Sequence, residues 1–263
     1  MIPPLYRQAP ARARLPRMTP GDPALDKTRP VPEHGGMTRP THPSFPSTLD
    51  HVVIAGRSLS AVVARVAELT GVTAQPGGRH DTGTENALIR LTVPGEPDLR
   101  SLELIGPRSD RTAPADRDAF GVKTRAEIGI ATFCVRPDSL AEHADLLREA
   151  GIEPEPEIGM SRKTPDGTLL SWRLLPSPEG VPTRVEPFAI DWLASAHPAG
   201  TTEPALRLLG LWGTHPRAAE LAGQLDAADI ELEVLPGGAP GLSLLVGTPL
   251  GEVLLDDAAL AGR

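Results

Sequence analysis

One order of apolar runs recurs along this chain and limits what it can fold into. Leu49–Ala55 is a short apolar strand. Ser58 is a helix N-cap, Leu59, Val62, Val63, Val66 and Leu69 recur at helical spacing, and Gly71 stops the helix. A Gly-rich turn, Gly77 to Asn86, then leads into apolar strands over Ala87–Val93 and Ser101–Pro107. The order returns from Ile128: a strand to Val135, a Ser139–Glu142 capping box, a helix ending at Gly151, then extended runs over 168–175 and 187–192. It returns again from Ala205, with Pro216 at a first helical position and strands over 242–246 and 252–255. A strand–helix–strand–strand–strand module used repeatedly is the simplest account. Each such sheet has one face covered by its own helix, so the other must meet another module or a ligand.

The divisions follow. Residues 1–47 are crowded with Pro, Arg, Thr and Gly without apolar periodicity, which is the composition of a disordered tail; Met18 and Met37 inside it are alternative starts. The first βαβββ module spans 48–108, a polar linker 109–125, the second module 126–193, a second linker 194–204, a third βαβββ-like module 205–257 and a short tail 258–263. The third either covers the open edge of the second or pairs across a homodimer. A net charge of -8 argues against nucleic acid as a partner. The single Cys134 excludes an internal disulfide and a thiolate cluster, and as part of an apolar run it reads as a buried thiol. No apolar run approaches the roughly 20 residues a membrane span needs, and no secretory signal is legible. The expectation is a cytoplasmic protein.

Leu49-Asp50-His51-Val52-Val53, Gly77-Gly78-Arg79-His80 with Gly83-Thr84 and Asn86, and Leu102-Glu103-Leu104-Ile105-Gly106-Pro107 together resemble the vicinal oxygen chelate superfamily, glyoxalase-like domain proteins in particular. Pro187 to Trp192, His197-Pro198 and His215-Pro216 resemble that group as well. The likeness runs from Thr48 to Asp257. It implies an α+β fold whose curled mixed sheets surround a cleft, with helices outside. It also implies a divalent metal held by a His or Gln from a first strand and a Glu from a last strand of each module, which stabilises charge on vicinal oxygens. His51 and Glu103 fit those places in the first module. The matching places in the second fall near Thr132 and Ala189, and in the third near Gly210 and Leu254, none of which ligates strongly. Two protein ligands are fewer than a stable site uses. Asp191, His197, His80 and His215 are loop residues able to complete it.

The residues themselves leave alternatives open. His51 is a ligand, a general base or a core histidine. Glu103, between apolar neighbours, needs a partner or a wet cleft. His80, Thr84 and Asn86 either serve backbone geometry in the turn or hydrogen-bond a ligand. Trp172 and Trp192 make a ligand wall or an aromatic core, and Arg173, with Asp191 on a neighbouring strand, would hold an anionic group. Two functions follow. One is an enzyme acting next to a carbonyl of a small oxygen-rich molecule, a lyase, isomerase or oxygenase with His51 and Glu103 as catalytic groups. The other is a metal-free small-molecule binder of the sequestering, resistance type.

Overall fold

The computed structural model describes residues 39–81, 83–110, 118–164, 167–176 and 184–263. Residues 1–38 of the expected tail and 111–117 of the first linker lie outside the described residues. The first module comprises β1 (Leu49–Ala55), α1 (Leu59–Thr70), β2 (Gln75–His80), β3 (Thr84–Thr92) and β4 (Arg100–Pro107). The second comprises β5 (Gly129–Val135), α2 (Leu140–Glu149), β6 (Ile158–Lys163), β7 (Leu169–Leu175) and β8 (Phe188–Asp191). Then come β9 (Ala205–His215), α3 (Ala218–Ala227), β10 (Glu233–Pro236), β11 (Gly241–Thr248), β12 (Gly251–Leu255) and α4 (Asp257–Ala261).

Local chemistry sets the helix ends. Ser58 Oγ accepts from Ala61 N at 3.3 Å, and Gly71, at φ 71°, ends α1 in the left-handed conformation that glycine adopts without strain. Ser139 Oγ accepts from Glu142 N at 3.3 Å to start α2. Val62 and Val66 of α1, and Leu140, Ala144 and Leu147 of α2, are buried.

In each of the first two modules the first strand lies parallel to the last, giving the orders β1-β4-β3-β2 and β5-β8-β7-β6. Two antiparallel seams join them. One is long, β1 with β5; the other is two residue pairs, Arg79 with Lys163 and His80 with Arg162. The eight strands thereby close into a ring.

The third segment departs from the repeat. Its order is β10-β9-β11-β12, with β10 parallel to β9. It attaches to the first module, where Ala205–Arg207 pair with Arg90–Thr92 of β3, and not to the open edge of the second, which β2 already covers. Residues 39–47, expected to be tail, are ordered. Ser44 O accepts from Leu211 N at 2.7 Å, the Arg100 guanidinium stacks 5.4 Å from the Phe45 ring centre, and Pro46 is buried. Phe45 and Pro46 give this short stretch enough apolar surface to pack. The turn expected over Gly77–Asn86 is shorter too, because Gly77 to His80 belong to β2.

The barrel has two faces and the strands alternate between them. On β4, Leu102 and Leu104 join the large core beneath the helices, while Ser101, Glu103 and Ile105 face the interior. On β1, Val52 and Ile54 go outward and His51, Val53 and Ala55 inward. Leu49 breaks the alternation and joins the outer core. The ladder explains it: Leu49 pairs with Val135 and His51 with Cys134, which leaves Asp50 as the extra residue of a β-bulge.

At the end of β4 a Cβ on Gly106 would sit 2.5 Å from Leu59 N, backbone of the first turn of α1. Gly106→Ala is therefore expected to push α1 off the sheet and cost about 1–3 kcal/mol. Gly159→Ala in β6, where nothing lies within 4 Å, is expected to cost nothing. Urea unfolding midpoints of the two variants against wild type check both.

Candidate functional site

The ring encloses a cavity of about 130 Å³. Its polar wall comes from the first module. His51 Nε2 lies 3.5 Å from Glu103 Oε2, because β1 and β4 run in parallel and both side chains point inward. Each group is held from behind. His51 Nδ1 donates to Asp50 Oδ1 at 2.7 Å, and Asn86 Nδ2 donates to Glu103 Oε1 at 2.5 Å. His80 Nδ1 and Thr84 Oγ1 share a hydrogen bond of 2.8 Å on the same wall. The second module supplies Met160, Trp172, Phe188, Ile190 and Trp192, and both linkers contribute, through Phe120 and through Pro198. Trp172 and Trp192 pack at 5.5 Å, and Phe188 meets the edge of His51 at 5.3 Å.

Asp50, fully buried, is the centre of the network. As the extra residue of the bulge it stands beside His51, which its Oδ1 meets. Oδ2 accepts from Trp192 Nε1 at 3.0 Å, His197 Nε2 at 3.2 Å and Arg136 Nη1 at 3.3 Å. Burial alone would raise its pKa; hydrogen bonds and charge from His197 and His51 outweigh that and hold it well below the usual carboxylate range. The same contact acts on His51. Burial pulls its pKa down, the Asp50 bond and charge push it up with help from Glu103, and the net shift is upward. His80 has no such partner, and burial lowers its pKa to about 4.

Of the residues singled out in the sequence, His51, Glu103, His80, Thr84, Asn86, Trp172 and Trp192 line the cavity. Arg173 and Asp191 do not. They pair with each other at 2.8 Å, and Arg173 with Glu157 at 3.1 Å, on the outer side of the sheet. Alternation requires it, since Trp172 and Leu174 on either side of Arg173 point inward. Ala189 likewise joins the outer core, so the inward residues of β8 are Phe188 and Ile190. His197 binds Asp50. His215 accepts from Arg217 N at 3.1 Å, at the start of α3. Arg162 and Arg184 line the cavity outside the residues that the sequence singles out, and Asp50 stands out there only as the neighbour of His51. The period-2 run Ile158, Met160, Arg162 was the available signal for Arg162.

The cavity offers His51 Nε2 and Glu103 Oε2 to a divalent ion, and the second module faces them with Thr132, Phe188 and Ile190. Among the described residues, one set of three His, Cys, Asp or Glu residues has ligand atoms within 4.8 Å of one another: Asp50, His51 and Cys134. The Asp50 oxygens already accept four hydrogen bonds, and burial pushes the Cys134 thiol far up. An ion there would have to displace Arg136, Trp192 or His197. These donors do not fit a divalent metal as they stand.

Two βαβββ modules closed about a cavity make a glyoxalase-like α+β fold. Residues 49–228 match the family described as Glyoxalase-like domain, and the chain belongs to that family. No curated protein matches the chain. Among solved structures it is similar to a hypothetical protein from Staphylococcus aureus, at 16% identity over 79% of this chain and 84% of that one, with a TM-score of 0.49. It is similar to Streptomyces coelicolor methylmalonyl-CoA epimerase at 17% identity, 49% and 88% coverage and a TM-score of 0.33. It is also similar to 4-hydroxymandelate synthase from Streptomyces coelicolor at 13% identity, 81% and 64% coverage and a TM-score of 0.37. No residue role follows from likeness at that level. No helix among the described residues is long and apolar enough to cross a membrane.

His80 makes acid stability testable. Its folded pKa, about 4, lies below the ordinary 6.5, so the unfolded chain takes the proton first. Its contribution is complete above the unfolded value and is lost as pH falls from 6.5 towards 4, to the extent of about 3 kcal/mol at most. His80→Gln is expected to lose less stability than wild type over that window. Unfolding free energies measured across it check the difference.

Proposed function

We propose that the cavity carries out metal-independent proton transfer next to a carbonyl in a small molecule. The observation that supports this is the His51–Glu103 approach at 3.5 Å, with each group fixed from behind by Asp50 or Asn86. Glu103, as carboxylate, removes a proton from the carbon beside the carbonyl; that C–H bond breaks and an O–H bond forms on Glu103. His51, donating through Nε2, supports the oxygen on which charge grows and gives it a proton. Return of the protons completes an isomerisation. The upward shift of the His51 pKa suits the donor role, and Asn86 leaves Glu103 Oε2 to act. Trp172, Trp192 and Phe188 keep the site apolar, which strengthens those charges. A cytoplasmic setting belongs to this proposal, supported by composition alone.

The aromatic wall also supports a second reading, a metal-free binder that sequesters its ligand. Solvent-deuterium exchange separates the two. In D2O, the α-protons of a panel of small aldehydes and 2-oxo acids, followed by NMR, are expected to exchange faster with wild type, and Glu103→Gln to slow that by about 10²-fold or more. Saturable quenching of tryptophan fluorescence by the same panel, with no exchange in any member, would leave only the binder.

A further inference from the structure

We propose that the cavity is a carboxylate-binding site, in which the guanidinium groups of Arg162 and Arg184 anchor the anionic end of a compact, ring-sized ligand. The inference extends the reading above and rests on it only in taking the cavity as a ligand site.

Arg162 comes from β6 and is 4% exposed. Among the described residues its guanidinium makes one hydrogen bond, Nη1 to Gly77 O at 2.6 Å, and that acceptor is a neutral carbonyl. The carboxylate whose charge it feels is Glu103, whose two oxygens are directed to His51 and Asn86. Among the described residues no carboxylate forms an ion pair with Arg162. A buried guanidinium without a counter-charge is costly, and burial pulls its pKa down. Arg184, partly exposed, is less completely matched than its ion pair suggests. Its Nη2 pairs with Glu186 at 3.5 Å, while its Nε is buried with no acceptor. The cavity wall thus carries two guanidiniums and one carboxylate, Glu103; Arg184 has Glu186 beside it, and among the described residues Arg162 has no ion pair, in a chain whose net charge is -8. The missing partner is an anion.

Shape narrows its class. A cavity of about 130 Å³ compares with the roughly 150 Å³ apolar cavity that accepts a benzene ring. Trp172 and Phe188 offer ring edges and faces to a planar group. The strand beside Arg162 is built for its side chain, since a Cβ on Gly78 would lie 2.7 Å from Arg162 Nη1. The class that meets charge, size and wall together is a small aromatic or similarly compact carboxylate.

Benzoate and its neutral amide, benzamide, differ in charge and hardly in shape. Calorimetric titration of the full chain near neutral pH is expected to show benzoate binding about ten- to hundredfold more tightly than benzamide. Arg162→Met is expected to narrow that gap to less than about threefold, and Arg184→Met to narrow it by a smaller factor. Equal affinity for the two probes, binding of neither, or an unchanged gap in Arg162→Met overturns the proposal. Should Arg162→Met not fold, the wild-type comparison and Arg184→Met still decide. The two readings fail separately: benzoate binding without proton exchange removes catalysis and leaves the anion site, whereas exchange with neutral ligands preferred does the reverse.

Discussion

A carboxylate shut away from water must be met by donors from its own protein, and Asp50 imposes that demand on this fold. Its partners come from four places: the next residue of β1, the residue after β5, the residue after β8 and the second linker. Both modules are therefore tied to one group. Removing one partner of a buried charge pair costs about 3–5 kcal/mol in general. The demand thus fixes where Trp192 and His197 lie, and through them the part of the cavity wall that the linker makes. It also fixes how the His51 ring is turned. Because Nδ1 donates to Asp50, Nε2 is the atom presented to Glu103.

The narrow seam between β2 and β6 does for the other side of the cavity what the bulge does for β1. Only two residue pairs hold it, and its glycines let side chains cross the sheet. A Cβ on Gly77 would meet the Asn86 amide, and one on Gly78 the Arg162 guanidinium. With larger residues, Asn86 could not reach Glu103 from its present place, nor Arg162 the Gly77 carbonyl. The glycines were legible in the sequence, but as a turn; their use as floor space for polar side chains is a property of the closed ring.

What the sequence made legible was local. Apolar runs, N-caps and terminal glycines gave the modules, and the single His and Glu in apolar strands gave the first module's share of the cavity. Non-local choices stayed hidden. The Asp50 bulge leaves no periodic trace, because Leu49–Ala55 is buried throughout and an extra residue breaks no visible alternation. Arg173 drew notice through its tryptophan neighbour, yet adjacent residues on a strand face opposite ways, so Trp172 inside puts Arg173 outside. Arg162 carries a period-2 signal with Ile158 and Met160, but the Pro- and Gly-containing run before it conceals the start of β6. The third segment shares the chain order of the others but not their pairing, since β10 takes the place beside β9 that a closing strand takes beside β1 and β5.

The two modules share a topology and divide the cavity unequally. The first brings imidazole, amide and carboxylate groups; the second brings Met160, Trp172, Phe188 and Ile190, with Arg162 and Arg184 as its charges on the wall. That division has an electrostatic consequence. An apolar half lowers the dielectric around the polar half, which strengthens each hydrogen bond in the Asp50–His51–Glu103–Asn86 chain and raises the cost of every charge left unmatched. Had both halves been polar, water could have matched the guanidiniums at little cost. Because one half is not, the positive charge of Arg162 and Arg184 and the acid/base pair across from it belong to a single balance, which a bound anion shifts toward neutrality.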